Sequence, residues 1–304
     1  MSMVSQLLEA TIQAGTPILY ATLGEIVAER SGVLNLGVEG MMIVGALAGF
    51  AVSYTTGNPW LGVFAAGLAG MLLASVHGTV CLVFQGNQVV SGLALTIFGV
   101  GLANFLGAPL VGVTTAGFSN APIPILESIP VLGRALFSHD VLVYISFALP
   151  LLLWLFLERT SLGLSLRSAG QNPEASAAVG LNPVAMRWLG TLTGGFLAGV
   201  GGAYLSLAAT HMWTNSMTAG RGWIAVALVI FAFWRPGRAI FGAYLFGAAM
   251  SLQLRLQAMG ANVPSSFLHM LPYALTVLVL VVSGVRGRGR AAPAALGVNI
   301  EPSE

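Results

Sequence analysis

Nine apolar stretches occupy the chain from residue 7 to residue 285, over 7–28, 38–56, 60–84, 88–112, 140–157, 187–210, about 220–234, 238–257 and 265–285. Most approach the roughly 20 residues that a bilayer-spanning helix requires. They are continuous runs and not the alternating segments of a membrane barrel. The chain therefore reads as all-α, a polytopic helical membrane protein with about 9–10 transmembrane helices, some of them broken or re-entrant. The charge inventory closes off the alternatives. Only 7% of the 304 residues are charged, against about 25% in an ordinary soluble domain. That small set cannot give a polar skin to a soluble globule of this size, so a water-soluble enzyme, a nucleic-acid-binding protein and a disordered chain are excluded.

Orientation follows from arginine, which supplies all 12 basic side chains. Arg159, Arg167 and Arg187 fall in the loop 158–187, Arg235 and Arg238 in the link 235–238, and Arg286, Arg288 and Arg290 in the tail. The segment 113–139 has only Arg134, and 211–221 only Arg221. The positive-inside rule makes the first three cytoplasmic and the last two external. Counting nine crossings back from a cytoplasmic C-terminus puts Met1 outside; a tenth crossing or a re-entrant piece puts it inside. Two polar, glycine-rich places could hide one, 29–37 and 85–92, and non-helical backbone at membrane depth is tolerated only where protein or a wet cavity surrounds it. Residues 1–7 lack the basic start of a cleaved signal peptide, so the chain is expected to insert through its own spans. A single transmembrane domain, 1–285, precedes an Arg/Gly/Ala/Pro-rich tail, 286–304, expected to fray on the cytoplasmic side.

No catalytic centre is legible. The lone Cys81 excludes an intrachain disulfide and a cysteine-cluster zinc site. His77, His139, His211 and His269 are scattered, and HExxH, Gly-x-Ser-x-Gly and Walker A patterns are missing from the sequence. The chain is read as having no catalytic residue, no metal site and no cofactor.

The polar residues inside the apolar runs are few. Glu25 and Glu29, one helical turn apart beside Arg30, read as an ion-pair cluster closing the first helix or as an interior pair. Glu39, at the entry to the next span, either bonds unwound backbone or faces a pore. Asn35, Gln88, Ser91 and Asn104 are candidates to line a path because their spans offer few other polar groups. Trp213, in HMWTNSMTAGRG before a short apolar core at 222–234, could stack on a ring or sit in an interfacial belt. The pairs Gly45/Gly49, Gly190/Gly194 and Gly195/Gly199 predict tight packing within the bundle. In the loop 166–188, Pro173 after Asn172 is a helix start, and Gly180 and Pro183 are stops. A two-turn helix over 173–179, exposed to the cytosol, reads as a docking site for a partner.

That loop, with ATLGEIVAERSGVLNLGVEGMMIVGALAGF (21–50) and GNQVVSGLAL (86–95), resembles the permease subunits of bacterial ABC importers. The likeness is to the simple-sugar, ribose and branched-chain amino-acid permease superfamily, nucleoside-type subgroup, over about 10–285. Its specific part is the E-R-x-G-V-L-N-L-G-x-E-G-M run. The resemblance implies that Gly170, Asn172, Ala177, Ala178 and Gly180, with Glu174, form the loop that seats in a groove of the ATPase, although Glu174-Ala175-Ser176 displace the paired alanines from the usual spacing. It implies a multi-pass protein of the bacterial cytoplasmic membrane that is not itself an enzyme. Its partners would be a second related permease subunit, a sugar-type ATPase with two fused nucleotide-binding domains, and an extracytoplasmic substrate-binding lipoprotein. Nucleosides or related simple sugars are the implied solutes. The alternative is an ion-gradient-driven secondary transporter, which needs coupling carboxylates in several helices; the C-terminal half supplies none.

Overall fold

The computed structural model describes residues 3–124, 126–127, 129, 132–259, 264–286 and 292–299. Arg288 and Arg290, used above to orient the tail, lie outside the described residues, as do the side chains of Arg134 and His269. Each apolar stretch forms a helix. The first four are α1 (Met3–Arg30), α2 (Val38–Thr56), α3 (Pro59–Gly78) and α4 (Gln88–Gly107). A long connection holding the short α5 (Leu132–Phe137) leads to α6 (Val141–Arg159), and α7 (Ser161–Gln171) and α8 (Pro173–Ala178) make the polar centre of the chain. Then follow α9 (Pro183–Tyr204), α10 (Arg221–Phe231), α11 (Pro236–Ala258) and α12 (Ser265–Arg286). Among the described residues there is no strand, and six helices (α2, α3, α4, α6, α9 and α11) are long and apolar enough to cross a membrane by length and composition.

Local chemistry sets the boundaries. Asn58, Asn172 and Asn182 each precede a proline at the first helical position and accept a backbone N–H from the first turn, of Trp60, Ala175 and Ala185 respectively. Proline there loses no helical bond, and the asparagine oxygen satisfies one of the orphan donors. Asn87 and Asp140 cap α4 and α6 in the same way.

Helix α9 is the axis of the bundle. Its Gly194 lies against Gly24 of α1, Gly195 against Gly70 of α3, and Gly199 against Gly45 of α2. All three glycine pairs seen in the sequence thus pack inside the chain, where small residues let backbones approach closely. The tightest approach is Gly202, where an added Cβ would stand 1.8 Å from the Met42 carbonyl oxygen. Gly202→Leu is therefore expected to remove most folded protein, because overpacking already costs about 1–3 kcal/mol where a side chain can still move and here backbone meets backbone. Size-exclusion profiles and melting temperature of the detergent-solubilised chain would check this.

The loops gather at two ends. At one, Arg30 Nε donates to the Trp234 carbonyl at 3.0 Å and its guanidinium stands 3.8 Å from Glu158. Glu158 also takes Arg167 at 2.8 Å. This corrects the ion-pair expectation, since Arg30 pairs across to α6 and not with Glu25 or Glu29. The α3–α4 link joins this end through Gln88, which accepts from Leu34 N. At the other end, Arg255 donates to Gln6 and Phe118 N donates to the Leu207 carbonyl. Helices α1 and α11 run antiparallel, Gly15 meeting Ala243 and Gly247 meeting Thr11. The start of α1 is therefore opposite the arginine-rich end.

The tail departs from the expectation of a frayed end. Residues 292–299 fold back onto the arginine-rich end, with Ala292 and Leu296 packed against the main apolar core.

Candidate functional site

Two helix breaks define the interior. The first, residues 31–37, is non-helical backbone between α1 and α2 and is enclosed in protein. Its polar groups are met by side chains from three helices. Leu34 N donates to Gln88 Oε1 at 2.8 Å, Asn35 N to Glu25 Oε1 at 3.1 Å, and the Leu36 carbonyl accepts from Thr96 Oγ1 at 2.8 Å. His77 Nε2 stands 3.1 Å from the Leu34 carbonyl, which can only accept, so Nε2 carries the proton and Nδ1 accepts from Ser91 Oγ at 3.0 Å. Asn35 closes the turn locally, its Oδ1 accepting from Gly37 N at 2.9 Å. Each such group left orphaned in the interior costs about 1–3 kcal/mol, which explains why so many polar residues converge on seven.

Asn35, Gln88 and Ser91 are thus brought together, but as struts for broken backbone and not as a wet lining; their exposures are 0%, 3% and 9%. Sequence reasoning picked those three and did not bring them together with Glu25, His77 and Thr96, which brace the same break. The only available signal was a single polar residue in an otherwise apolar run.

The second break, residues 210–220, lies between the π-helical turn Leu205–Ala209 that ends α9 and the start of α10. Its backbone turns left-handed at His211, Ser216, Ala219 and Gly220 (φ 54°, 54°, 47° and 80°), the last a conformation glycine adopts without strain. The turn aims the first amides of α10 at Glu39 in the first turn of α2. Glu39 Oε1 accepts from Thr218 Oγ1 at 2.6 Å and Gly220 N at 2.9 Å, and Oε2 from Gly222 N at 2.6 Å. One carboxylate therefore sits at the amino ends of two helices, where the helix dipoles favour negative charge. Of its two readings, the bonded one holds in this conformation: Glu39 is 6% exposed and grips unwound backbone.

Depth follows from length. Eleven residues of α10 rise about 16 Å at 1.5 Å each, about half the roughly 30 Å hydrocarbon core. At the far end of α10, Trp234 Nε1 donates to Glu29 Oε2 at 2.5 Å, at the close of α1. Helices α2 and α10 accordingly start inside the bundle, about 16 Å from the arginine-rich end, one entered from each end.

Asn104 fastens the second break to α4. Its Nδ2 donates to Ser216 Oγ at 3.2 Å and its Oδ1 accepts from Ser216 N at 3.0 Å. Trp213 corrects the sequence reading. It is wholly buried with Ile43, Leu47, Phe50 and Ala103, its indole against Gly107, so it presents neither a face for stacking nor an edge to an interface.

At the arginine-rich end, α8 is the short capped helix expected at 173–179. Ser176 is buried and shares its hydroxyl with Ser168 at 2.8 Å, tying α8 to α7. Glu174, Ala177, Ala178, Val179 and Gly180 face outward, and Gly180 ends the helix at φ +83°. Gly170 does not share that face: a Cβ there would stand 2.2 Å from the Arg30 carbonyl oxygen, so it seats α7 on α1.

A helical bundle of long apolar helices joined by broken backbone inside the protein, with two helix amino ends converging there, suits a membrane permease. Residues 7–280 match the family described as branched-chain amino acid transport system / permease component, and the chain belongs to that family. It is 48% identical over 264 residues to a protein of Haloferax volcanii provisionally named a glucose ABC transporter permease, covering 85% of this chain and 80% of that one. It is 35% identical to the nucleoside ABC transporter permease NupC of Lactococcus lactis subsp. cremoris, covering 93% of each. To the guanosine ABC transporter permease NupQ of Bacillus subtilis it is 34% identical, covering 97% of this chain and 96% of the relative. The chain is a multi-pass, non-catalytic permease subunit of an ABC transporter, a class that works with ATPase and substrate-binding partners.

Proposed function

We propose that this chain forms half of the path of an importer for a neutral solute built on a sugar ring, a nucleoside or a simple sugar, with the ATPase seated on α7–α8. The observation that carries the reading is Glu39. The amino ends of α2 and α10 would attract an anion, but an internal carboxylate already fills that place. Nucleosides and glucose, named for the relatives above, share this neutrality and a hydroxyl-bearing ring. The arginine-rich end, with α8, is the cytoplasmic face, and residues 113–139 face outward in a cytoplasmic (inner) membrane. A second related permease chain completes the path, an ATPase with two fused nucleotide-binding domains drives it, and an extracytoplasmic binding lipoprotein supplies the solute.

Uptake of radiolabelled guanosine and of glucose in a deletion strain, restored by this chain with its ATPase and binding protein, tests the solute class. Loss of uptake on omitting the ATPase is expected. Uptake that survives without the ATPase and collapses with a protonophore would establish the secondary transporter instead. Orientation is tested separately in a Cys81→Ala background. Ser119→Cys should react with an impermeant thiol reagent on intact cells and Glu174→Cys should not; labelling of the latter from outside reverses the assignment.

A further inference from the structure

The folded-back tail touches three loops that both the path and the docking face depend on. Ala295 N donates to the Gly170 carbonyl at 3.0 Å and Ala294 N to Gln171 Oε1 at 3.4 Å, at the end of α7. Gly297 N donates to the Gly32 carbonyl at 3.2 Å, in the first helix break. Asn299 Nδ2 donates to the Gln85 carbonyl at 2.6 Å, and Asn299 Oδ1 accepts from Gln88 Nε2 at 3.1 Å. Gln88 is the side chain whose other end holds Leu34 N. One amide thus links the tail directly to the broken backbone.

We propose that residues 292–299 are a latch: docked, they tie the α7–α8 loop to the first helix break and hold that end of the path at rest, and they let go when the ATPase moves the loop. The latch rests on the reading of α7–α8 as the ATPase seat. Its hold is built to be reversible. Arg187, fully buried under the tail, donates to the Val298 carbonyl at 2.6 Å and the Ala295 carbonyl at 3.3 Å, and its Nε has no hydrogen-bond partner among the described residues. A guanidinium held by neutral carbonyls gives up much of its hydration on docking and regains water when the tail lifts. Apolar anchoring rests on small groups, with Pro293 and Ala295 buried and Ala292 and Leu296 packed on the core, while Ala294, Gly297 and Val298 are exposed. An element so balanced has two arrangements for a partner to choose between.

The test is a cross-link in the complete complex, in a Cys81→Ala background. Gln171→Cys with Ala294→Cys places two thiols on exposed neighbours. Oxidation in the resting complex should join them and lower uptake about tenfold, as a gate held shut limits turnover, with recovery on adding reductant. Vanadate trapping with ATP before oxidation should reduce the cross-link. Equal uptake by the oxidised and reduced forms would overturn the latch. A stop codon replacing Ala292 gives a second reading: ATP hydrolysis should lose its dependence on the loaded binding protein while the ATPase still co-purifies. Retained dependence would also overturn the proposal. Co-purification separates the two ideas, since a misassigned docking loop shows itself in variants of α8 and abolishes only the effect of vanadate, leaving the cross-link at rest and its effect on uptake intact.

Discussion

Glu39→Leu is expected to insert in the membrane and to lose nearly all uptake. The substitution removes an acceptor that three donors share, namely Thr218 Oγ1, Gly220 N and Gly222 N. Each stranded donor costs about 1–3 kcal/mol, and the Gly222 amide cannot reach water because Gly222 is buried and packed on the Glu39 backbone itself. A total beyond about 3 kcal/mol shifts the population of the intact arrangement more than about a hundredfold. Helices elsewhere keep their packing around α9, so the loss falls on the path and not on insertion. Glu39→Gln should be intermediate, because its oxygen in the Oε1 place still accepts from Thr218 Oγ1 and Gly220 N while its NH2 confronts the Gly222 amide. Thr218→Val should cost least, since only a hydroxyl is lost. Uptake normalised to membrane content, with melting temperature alongside, reads the series. Wild-type uptake by Glu39→Leu would show that the junction of α2 and α10 has no part in transport.

What the sequence made legible, and what it hid, divides along one physical line. Apolar runs report directly on helices, because lipid leaves no other way to satisfy backbone, and every stretch from 7–28 to 265–285 became a helix. The Asn172-Pro173 pair reported the start of α8 for an equally local reason, whereas Pro183, read as a stop, opens α9 behind its own asparagine cap. The polar residues were found but their roles were not. Asn35, Gln88 and Ser91 stand out in apolar surroundings whether they line water or brace a break, and only the tertiary fold shows Leu34 between Gln88 and His77. Glu39 drew attention through its place at the entry to α2, yet its partners lie some 180 residues away, in the second break and at the start of α10, beyond any spacing rule. Trp213 misled because exposure cannot be read from a polar neighbourhood. The tail misled because its composition is that of a linker, while its anchoring depends on backbone amides and carbonyls that carry no sequence signature.

Ala178→Arg is expected to leave the chain inserted and the bundle intact while abolishing ATPase co-purification and uptake. Ala178 is exposed and ends the six-residue helix α8, whose internal fastening uses Asn172 and the buried Ser176 on its other side. An arginine at 178 therefore meets only solvent in the isolated chain. Seated in a protein groove, it would bring an unpaired charge into contact, a change that costs about 2–5 kcal/mol at interfaces and weakens association by about 30-fold or more. Two comparisons keep the result specific. Ala178→Ser should retain the ATPase, because a hydroxyl fits almost the same space. Asn172→Ala should weaken association only in part, since losing the cap costs about 1 kcal/mol and loosens α8 without adding a charge. The measurement is affinity co-purification of the ATPase with this chain, with uptake in parallel. Full recovery of the ATPase by Ala178→Arg at normal membrane levels would move the docking site away from α8. The order wild type, serine, capless and arginine would fix it there, because a structural defect of the bundle has no reason to follow the size and charge of one outward-facing side chain.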